Sequence, residues 1–172
     1  MTDGRDQSLR TLVEAWLALR RAVPTGDIVV ERAEVLRPGR PGLLDIVARV
    51  GGRRAHLVVG LRGVADEPHF LRSGEEAALG LLDDEDGLAV CTDALRDAQL
   101  AALLLATVRG VGPRPGPVAV LRDDDDATVL DCGDRGDLLV FPWLNAAPRP
   151  DVDLMVALDE SGFNHVAAPL VR

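Results

Sequence analysis

The sequence predicts an α+β fold in which antiparallel sheets pack against helices. Three observations lead to this prediction: two segments have helical periodicity, a diglycine turn joins two strands, and three short strands follow one another near the carboxyl end. The chain has 172 residues, of which 47% are apolar and 27% are charged. This length and composition are typical of a globular domain that can bury a core of its own.

The first segment with a regular pattern is a helix. Apolar residues recur at helical spacing over Leu9–Leu17 and predict an amphipathic helix that ends near Arg21. Asp6 or Ser8 is in a position to cap its amino end. The following stretch, Asp27–Leu36, is rich in β-branched residues and predicts a strand.

The strongest local signal is the pair Gly51-Gly52, which lies between the segments 43–50 and 53–60. A two-residue turn of this composition joins antiparallel strands and fixes which residues face each other. Asp45 and Arg49 are therefore expected on the exposed face, because a shift of one residue would exchange the two faces. The four predicted pairs, three of them wholly apolar, are Val50–Arg53, Ala48–Ala55, Ile46–Leu57 and Leu44–Val59.

The middle of the chain predicts a loop and a second helix. Asp66–Leu88 is acidic and is interpreted as a loop with one short helix at 74–81. Thr92 or Asp93 is expected to cap a helix that runs to Arg109, with a buried apolar centre at 100–105.

The last third predicts a linker, a meander of strands and a final helix. The proline-rich segment 111–117 is the expected linker. A helix is expected from about Asp151 to Glu160, with Gly162 as its carboxyl-terminal stop. The strands predicted between them are Val118–Leu121, Thr128–Cys132 and Leu138–Trp143.

Composition excludes several classes of function. All nineteen basic residues are arginine, so chemistry that needs a phosphate-binding or Schiff-base lysine is absent. The net charge of −9 argues against nucleic acid as a partner. The longest apolar run, 100–108, is far shorter than the roughly 20 residues of a membrane span, and the amino terminus has no signal-peptide pattern. We therefore expect a cytoplasmic protein that does not bind membranes.

The histidines and acidic runs do not form a catalytic or metal-binding pattern. His56 falls on the exposed face of the hairpin and is interpreted as a surface residue. His69 and His165 have no second ligand at a suitable spacing, so no metal is expected. The runs 83–86 and 123–126 are interpreted as solvated acidic loops.

The two cysteines, Cys91 and Cys132, are interpreted as buried thiols of a reducing compartment. Cys91 precedes the predicted second helix, a position where a thiol can be acidified, but a buried and unreactive thiol is the preferred interpretation. We expect no catalytic residues and no cofactor.

The order of segments over roughly Leu9–Val171 resembles the N-terminal cap and N-lobe of actinobacterial maltokinases. The similar segments are the acidic stretch 80–87 with the helix entry 92–95, the strand 138–141, and the segments 150–154 and 162–167. The resemblance implies a cystatin-like cap over residues 1–112, followed by a kinase N-lobe-like meander and helix over residues 113–172.

Maltokinases phosphorylate maltose with ATP on a route from trehalose to α-glucan, and the resemblance implies that this activity is lost here. Leu139 stands in the place of the lysine that holds the nucleotide phosphates, and Asp153 in the place of the glutamate that pairs with that lysine. The carboxylates of 123–126 align with the phosphate loop, and the chain is expected to lack the catalytic lobe. We therefore expect ATP not to bind.

Three function hypotheses remain open. The first is a non-catalytic interaction or regulatory module linked to trehalose or α-glucan metabolism. The second is a subunit that completes an ATP-dependent sugar kinase with a separate C-lobe, and the third is a protein that binds a small molecule on a concave sheet. For the first hypothesis, the expected surface for a protein partner or a homodimer comprises Phe141, Trp143, Leu144, Val152, Met155 and Val156.

Overall fold

The computed structural model describes residues 2–20, 26–64, 78–109, 118–123, 127–131, 138–142 and 144–145. These residues form two helices, one 3₁₀ turn and two antiparallel sheets, which confirms the predicted α+β class. The elements in chain order are α1 (Thr2–Leu19), β1 (Ile28–Arg37), β2 (Gly42–Val50), β3 (Arg53–Gly63), β4 (Ala78–Asp84), β5 (Gly87–Asp93), the 3₁₀ turn Ala94–Arg96, α2 (Ala98–Arg109), β6 (Ala119–Asp123), β7 (Ala127–Asp131), β8 (Leu138–Pro142) and β9 (Leu144–Asn145).

The larger sheet has the strand order β1-β2-β3-β5-β4, and β9 pairs with the first residues of β3. The smaller sheet has the order β6-β7-β8, which confirms the predicted meander. Every described pairing is antiparallel.

The β2–β3 hairpin has the register that the diglycine turn predicted. Ala48 pairs with Ala55 and Ile46 pairs with Leu57, and all four are buried on the same side of the sheet. Gly51 and Gly52 both have positive φ, at 53° and 84°, as the tight turn requires.

The first core lies between α1 and the sheet. Trp16 and its apolar neighbours on α1 pack against one face of the large sheet, and α1 contacts both edge strands, β1 and β4. The sheet residues of this core include Leu44, Ile46, Leu57, Val59, Leu61, Leu79, Leu82 and Cys91. Helix α1 therefore crosses this face of the large sheet from one edge strand to the other.

A second core covers part of the opposite face. Leu43 and Val58 alternate with the residues that face α1, and they pack against the 3₁₀ turn and α2. Val118 and Leu130 join the same cluster, so described residues from both predicted subdomains meet here. The boundary between 1–112 and 113–172 remains a prediction.

In the middle segment, the short helix predicted at 74–81 is wrong, and the second helix ends at Arg109 as predicted but begins later. Residues 78–81 begin strand β4 instead of ending a helix, and β4 and β5 form a hairpin whose turn contains Glu85 and Asp86. The second helix begins at Ala98, because β5 continues through Asp93 and a 3₁₀ turn follows it. Asp97 caps α2 by accepting hydrogen bonds from the backbone N–H groups of Gln99 and Leu100, at 2.9 and 3.1 Å.

The helix α1 begins earlier than predicted and extends from Thr2. Ser8 is not its cap, since its hydroxyl donates to the carbonyl oxygen of Gly4 within the helix, at 3.0 Å. The expected linker 111–117 and the expected helix 151–160 lie outside the described residues. Within the described part of the chain, neither helix has the length and apolar character needed to cross a membrane.

Candidate functional site

A cavity of about 620 Å³ opens at one end of the large sheet, beside the first turns of α1. We refer to it as the end cavity. Its volume falls in the range of roughly 300–1,000 Å³ that is typical of small-molecule pockets. It is lined by Arg5, Val35, Arg37, Pro38, Gly39, Arg40, Leu44, Leu61, Leu82, Asp83, Asp84, Glu85 and Asp86.

The end cavity exists because the apolar stripe of α1 begins at Leu9, whereas the sheet continues beyond it. A helix rises about 1.5 Å per residue, so Arg5 lies about 6 Å further along the axis than Leu9. Arg5 is exposed and contributes no apolar cover. Apolar side chains at the end of the helix-facing side of the sheet, which belong to the first core, therefore also line this space.

The floor of the end cavity is apolar. Leu44, Leu61 and Leu82 come from three different strands and lie on the side of the sheet that faces α1. Val35 pairs with Leu44 in the register of β1 and β2, but its side chain is 55% exposed. The side chain of Val35 thus forms an apolar part of the cavity wall that is more than half exposed.

An ion pair closes one side of the end cavity. The Arg40 guanidinium lies 2.6 Å from Asp84 and also donates to the carbonyl oxygen of Gly87, at 3.3 Å. The two charged side chains are only 16% and 20% exposed. Asp86 is a more distant partner, at 4.0 Å. Arg40 therefore connects the β1–β2 turn to the β4–β5 turn, which are not neighbours in the sheet.

The rim carries both signs of charge. Arg5 and Arg37 are exposed, and neither side chain forms an ion pair or hydrogen bond with another described residue. Asp83 and Glu85 are likewise exposed and make no such contact within the described residues. The lining residues that the structure describes include no hydroxyl, thiol, imidazole or aromatic side chain. It offers apolar surface and charges for binding.

The interpretation of 83–86 as a solvated acidic loop is therefore only partly right. Asp83 and Glu85 are exposed as expected. Asp84 instead binds Arg40 and also accepts a hydrogen bond from the backbone N–H of Asp86, at 3.0 Å.

A second charged cluster lies on the other face of the sheet. Asp45 on β2 binds Arg32 on β1, at 2.7 Å, and His56 Nε2 on β3, at 2.5 Å. Burial acts to raise the pKa of Asp45, but the hydrogen bond and charge of His56, together with Arg32, outweigh it and lower the pKa.

The exposed positions predicted for Asp45 and His56 need correction. Asp45 is buried, with 4% of its surface exposed, and the His56 side chain is only 35% exposed and contacts Asp45. The prediction failed because strands on both sides of β2 supply cations that make a buried carboxylate tolerable. Arg49 is exposed as expected and binds Glu31, at 3.3 Å.

A third charged group is wholly buried and joins three elements. Arg20, just after α1, binds Asp93 at the end of β5, at 2.8 Å, and donates to the Thr128 hydroxyl on β7, at 3.1 Å. The guanidinium also lies 5.0 Å from the centre of the Trp16 ring. Burial raises the pKa of Asp93, and the charge of Arg20 acts in the opposite direction. Asp93 also caps the 3₁₀ turn by accepting a hydrogen bond from the Leu95 N–H.

Arg20, Arg40 and Val35 were missed by the sequence interpretation. Arg20 follows Trp16 by four residues and therefore continues the apolar stripe of the helix, which is a signal of a buried charge. Arg40 follows a Pro-Gly turn, and nothing local indicates that it reaches the acidic turn 44 residues further along the chain.

Cys91 lies inside β5, not at the start of a helix, and it is fully buried. Burial raises the pKa of its thiol to about 12, so the thiolate is not available near neutral pH. This finding confirms the interpretation of Cys91 as an unreactive core residue. Cys132 lies outside the described residues.

Most of the residues singled out for a partner or nucleotide lie outside the described part of the chain: Trp143, Val152, Asp153, Met155 and Val156. Leu139 and Phe141 belong to β8, and Leu144 on β9 pairs with Ala55. Asp123 ends β6, while 124–126, His69 and His165 lie outside the described residues. The expected partner surface remains a prediction.

Among the described residues, no group of three or more histidine, cysteine, aspartate or glutamate side chains is arranged to hold a metal ion. Comparison with known proteins found no family model that matches the chain and no curated protein that matches it.

Proposed function

We propose that the chain is a non-catalytic binding module that acts by recognising a small ligand in the end cavity. The observation that carries the proposal is the cavity itself, which has the volume of a ligand pocket, a floor of apolar side chains and an exposed apolar residue, Val35, at its wall. The resemblance to the maltokinase cap supports a regulatory role for such binding, linked to trehalose or α-glucan metabolism.

Val35 offers a direct test of the cavity. A phenylalanine at position 35 occupies space at the wall and replaces an exposed residue, not a residue of the core. Val29 is a matched control on the same strand, exposed at 42% and absent from the cavity lining. The experiment is a ligand-observed NMR screen of small soluble compounds against the wild type, Val35→Phe and Val29→Phe.

The proposal predicts compounds whose signals respond to the wild type and to Val29→Phe but not to Val35→Phe. Circular dichroism of all three proteins establishes that the folds agree. A screen without any binder, or binders that do not distinguish the two variants, would contradict the proposed function.

A second candidate function is association with a protein partner or a second copy. It is supported by exposed apolar side chains on β6, an edge strand of the smaller sheet, where Leu121 is 58% exposed and Val120 is 45% exposed. Apolar exposure on an edge strand is a feature of surfaces that bind other chains. The partner surface around Phe141, Trp143 and Leu144 belongs to this proposal.

A sugar-kinase subunit that works with a separate C-lobe is the competing proposal. It requires that ATP and Mg²⁺ bind, whereas the leucine at position 139 in place of a lysine argues that they do not. Calorimetric titration separates the two proposals, because micromolar ATP affinity would favour the kinase subunit.

A further inference from the structure

We infer that the end cavity takes a zwitterionic small molecule with an apolar body, in the size class of a dipeptide or tripeptide. This inference rests on the proposed function and adds the chemical class of the ligand. It depends on three properties of the lining: the apolar floor, the two signs of charge on the rim, and the state of the Arg40–Asp84 pair.

The apolar body of the ligand follows from the floor. Leu44, Leu61, Leu82 and Val35 are aliphatic residues of the helix-facing side of the sheet. The three leucines are almost fully buried, whereas Val35 is 55% exposed, so contact with Val35 removes apolar surface from water, which is the main favourable contribution to binding in such pockets. The described lining has no aromatic ring, so among these residues a ligand that depends on stacking, such as a sugar ring or a nucleobase, finds no partner.

The two charges of the ligand follow from the rim. Arg5 and Arg37 have no ion-pair partner within the described residues, and neither do Asp83 and Glu85. A purely anionic ligand would meet the carboxylates of the β4–β5 turn, and a purely cationic ligand would meet the two guanidiniums. A molecule with a carboxylate and an ammonium group complements both sets.

The Arg40–Asp84 pair indicates where the two sets meet. Arg40 and Asp84 neutralise each other at 2.6 Å, so they leave no net charge at the side of the cavity that they close. Arg37 lies three residues before Arg40, and Glu85 directly follows Asp84. A positive group, Arg37, and a negative group, Glu85, therefore lie on either side of a neutral pair. A zwitterion bound beside this pair would place its carboxylate near Arg37 and its ammonium group near Glu85.

The test uses leucyl-leucine as the zwitterionic probe and two analogues that each lack one charge. N-acetyl-leucyl-leucine has no ammonium group, and leucyl-leucine amide has no carboxylate. Isothermal titration of the wild-type chain with the three probes is expected to show that each blocked analogue binds about tenfold more weakly, because a hydrogen bond to a charged group strengthens binding by about this factor or more.

Substitutions on the rim identify which charge meets which group. In Arg37→Gln, the advantage of the free dipeptide over the amide is expected to narrow, because one of the two guanidiniums that face the carboxylate has been removed. In Glu85→Gln, the advantage of the free dipeptide over the acetylated probe is expected to narrow for the corresponding reason. Arg10→Gln is the matched control, since Arg10 is exposed on α1 and does not line the cavity.

The outcomes distinguish this inference from the proposed function. Equal affinity of the three probes, or tighter binding of a singly charged probe, would overturn the zwitterionic class. If that binding is lost in Val35→Phe, the cavity would still stand as a ligand site. Absence of binding by every dipeptide probe, together with a screen that finds no compound sensitive to Val35→Phe, would overturn both.

Discussion

At the scale of single residues, three arginines determine how charge is buried in this chain. Arg20, Arg32 and Arg40 each pair with an aspartate, and the three pairs differ in exposure from fully buried to half exposed. An unpaired charge in the interior is far more costly than a pair, so each arginine makes its aspartate tolerable at that place. Because the chain has no lysine, all of these contacts use the planar guanidinium, which can bind more than one acceptor.

The buried Arg20–Asp93 pair is expected to be the most sensitive of these contacts. Arg20→Ala leaves the Asp93 carboxylate buried without its cation and should lower the free energy of unfolding by about 3–5 kcal/mol. The exposed Arg54, which binds Glu31 at 2.9 Å, is the control, and Arg54→Ala should cost only about 0–1 kcal/mol. Urea denaturation measures both values. Equal losses in the two variants would show that the buried pair has no special weight.

The lowered pKa of Asp45 predicts a dependence of stability on acid. The pKa of Asp45 is lower in the folded state than its ordinary value of 3.8. The contribution of ionised Asp45 to the free energy of unfolding is therefore fully present above pH 3.8 and is lost as the pH falls through the lower pKa of the folded state. Asp45→Asn should cost about 1–3 kcal/mol at neutral pH, because Arg32 and His56 lose their anion. The difference from the wild type should shrink below pH 3.8.

Urea denaturation at a series of pH values checks this expectation. Glu34→Gln is the matched control, because Glu34 is exposed and faces Asp45 in the register of β1 and β2. A difference between wild type and Asp45→Asn that stays constant down to the acid limit would show that Asp45 does not gain stability from its ionised form.

At the scale of elements, the packing of α2 on β3 depends on one glycine. A Cβ at position 60 would collide with the side chain of Leu100, which belongs to the second core. Gly60 pairs with Thr92 in the register of β3 and β5, so the backbone there is held from the side as well. The helix therefore approaches the sheet at a point where the Leu100 side chain occupies the space that a Cβ at position 60 would need.

Gly60→Ala is expected to lower the free energy of unfolding by about 1–3 kcal/mol, the usual cost of inserting atoms into a packed core. Gly4→Ala is the control, because no atom of the described chain lies within 4 Å of a Cβ there and alanine favours the helix. Thermal or urea unfolding gives both values. If Leu100→Val restores stability to Gly60→Ala, the collision is the cause; a Gly60→Ala protein as stable as the wild type would contradict the packing described here.

The elements that sequence could predict are those whose signals are local. The β2–β3 register followed from Gly51-Gly52, because a two-residue turn leaves no freedom in pairing. Strand β4 was missed because a bulge between Ala78 and Gly80 interrupts its alternation and because its end is acidic. The end cavity could not be predicted, since it depends on where a helix stops covering a sheet.

At the scale of the whole molecule, the described residues of the two predicted subdomains share a core and a buried hydrogen bond. Val118 and Leu130 pack with α2, and Thr128 binds Arg20. These contacts connect the smaller sheet to α1 and to the larger sheet. The surface around β8 and β9 is where we propose that a further chain docks.

Association through this surface is expected to depend on Trp143. Buried aromatic residues dominate interface energies, and truncation of one typically costs about 2 kcal/mol or more, which is over tenfold in affinity. Light scattering of the wild type should show a concentration-dependent mass, and Trp143→Ala should shift it to the mass of one chain. Val29→Ala is the control on a distant edge strand. A wild type that remains a single chain at every concentration would contradict self-association.

The environment of Trp16 also gives the molecule an optical property. The sequence has two tryptophans and no tyrosine, so in Trp143→Phe all ultraviolet emission comes from one indole, which is fully buried with a guanidinium 5.0 Å from its ring centre. That indole sits at the junction of α1, β5 and β7, because its neighbour Arg20 binds Asp93 and Thr128. Separation of the helix from the sheets would admit water to the ring and move its emission to longer wavelength. The protein therefore carries an intrinsic fluorescent reporter of the junction, without any added dye.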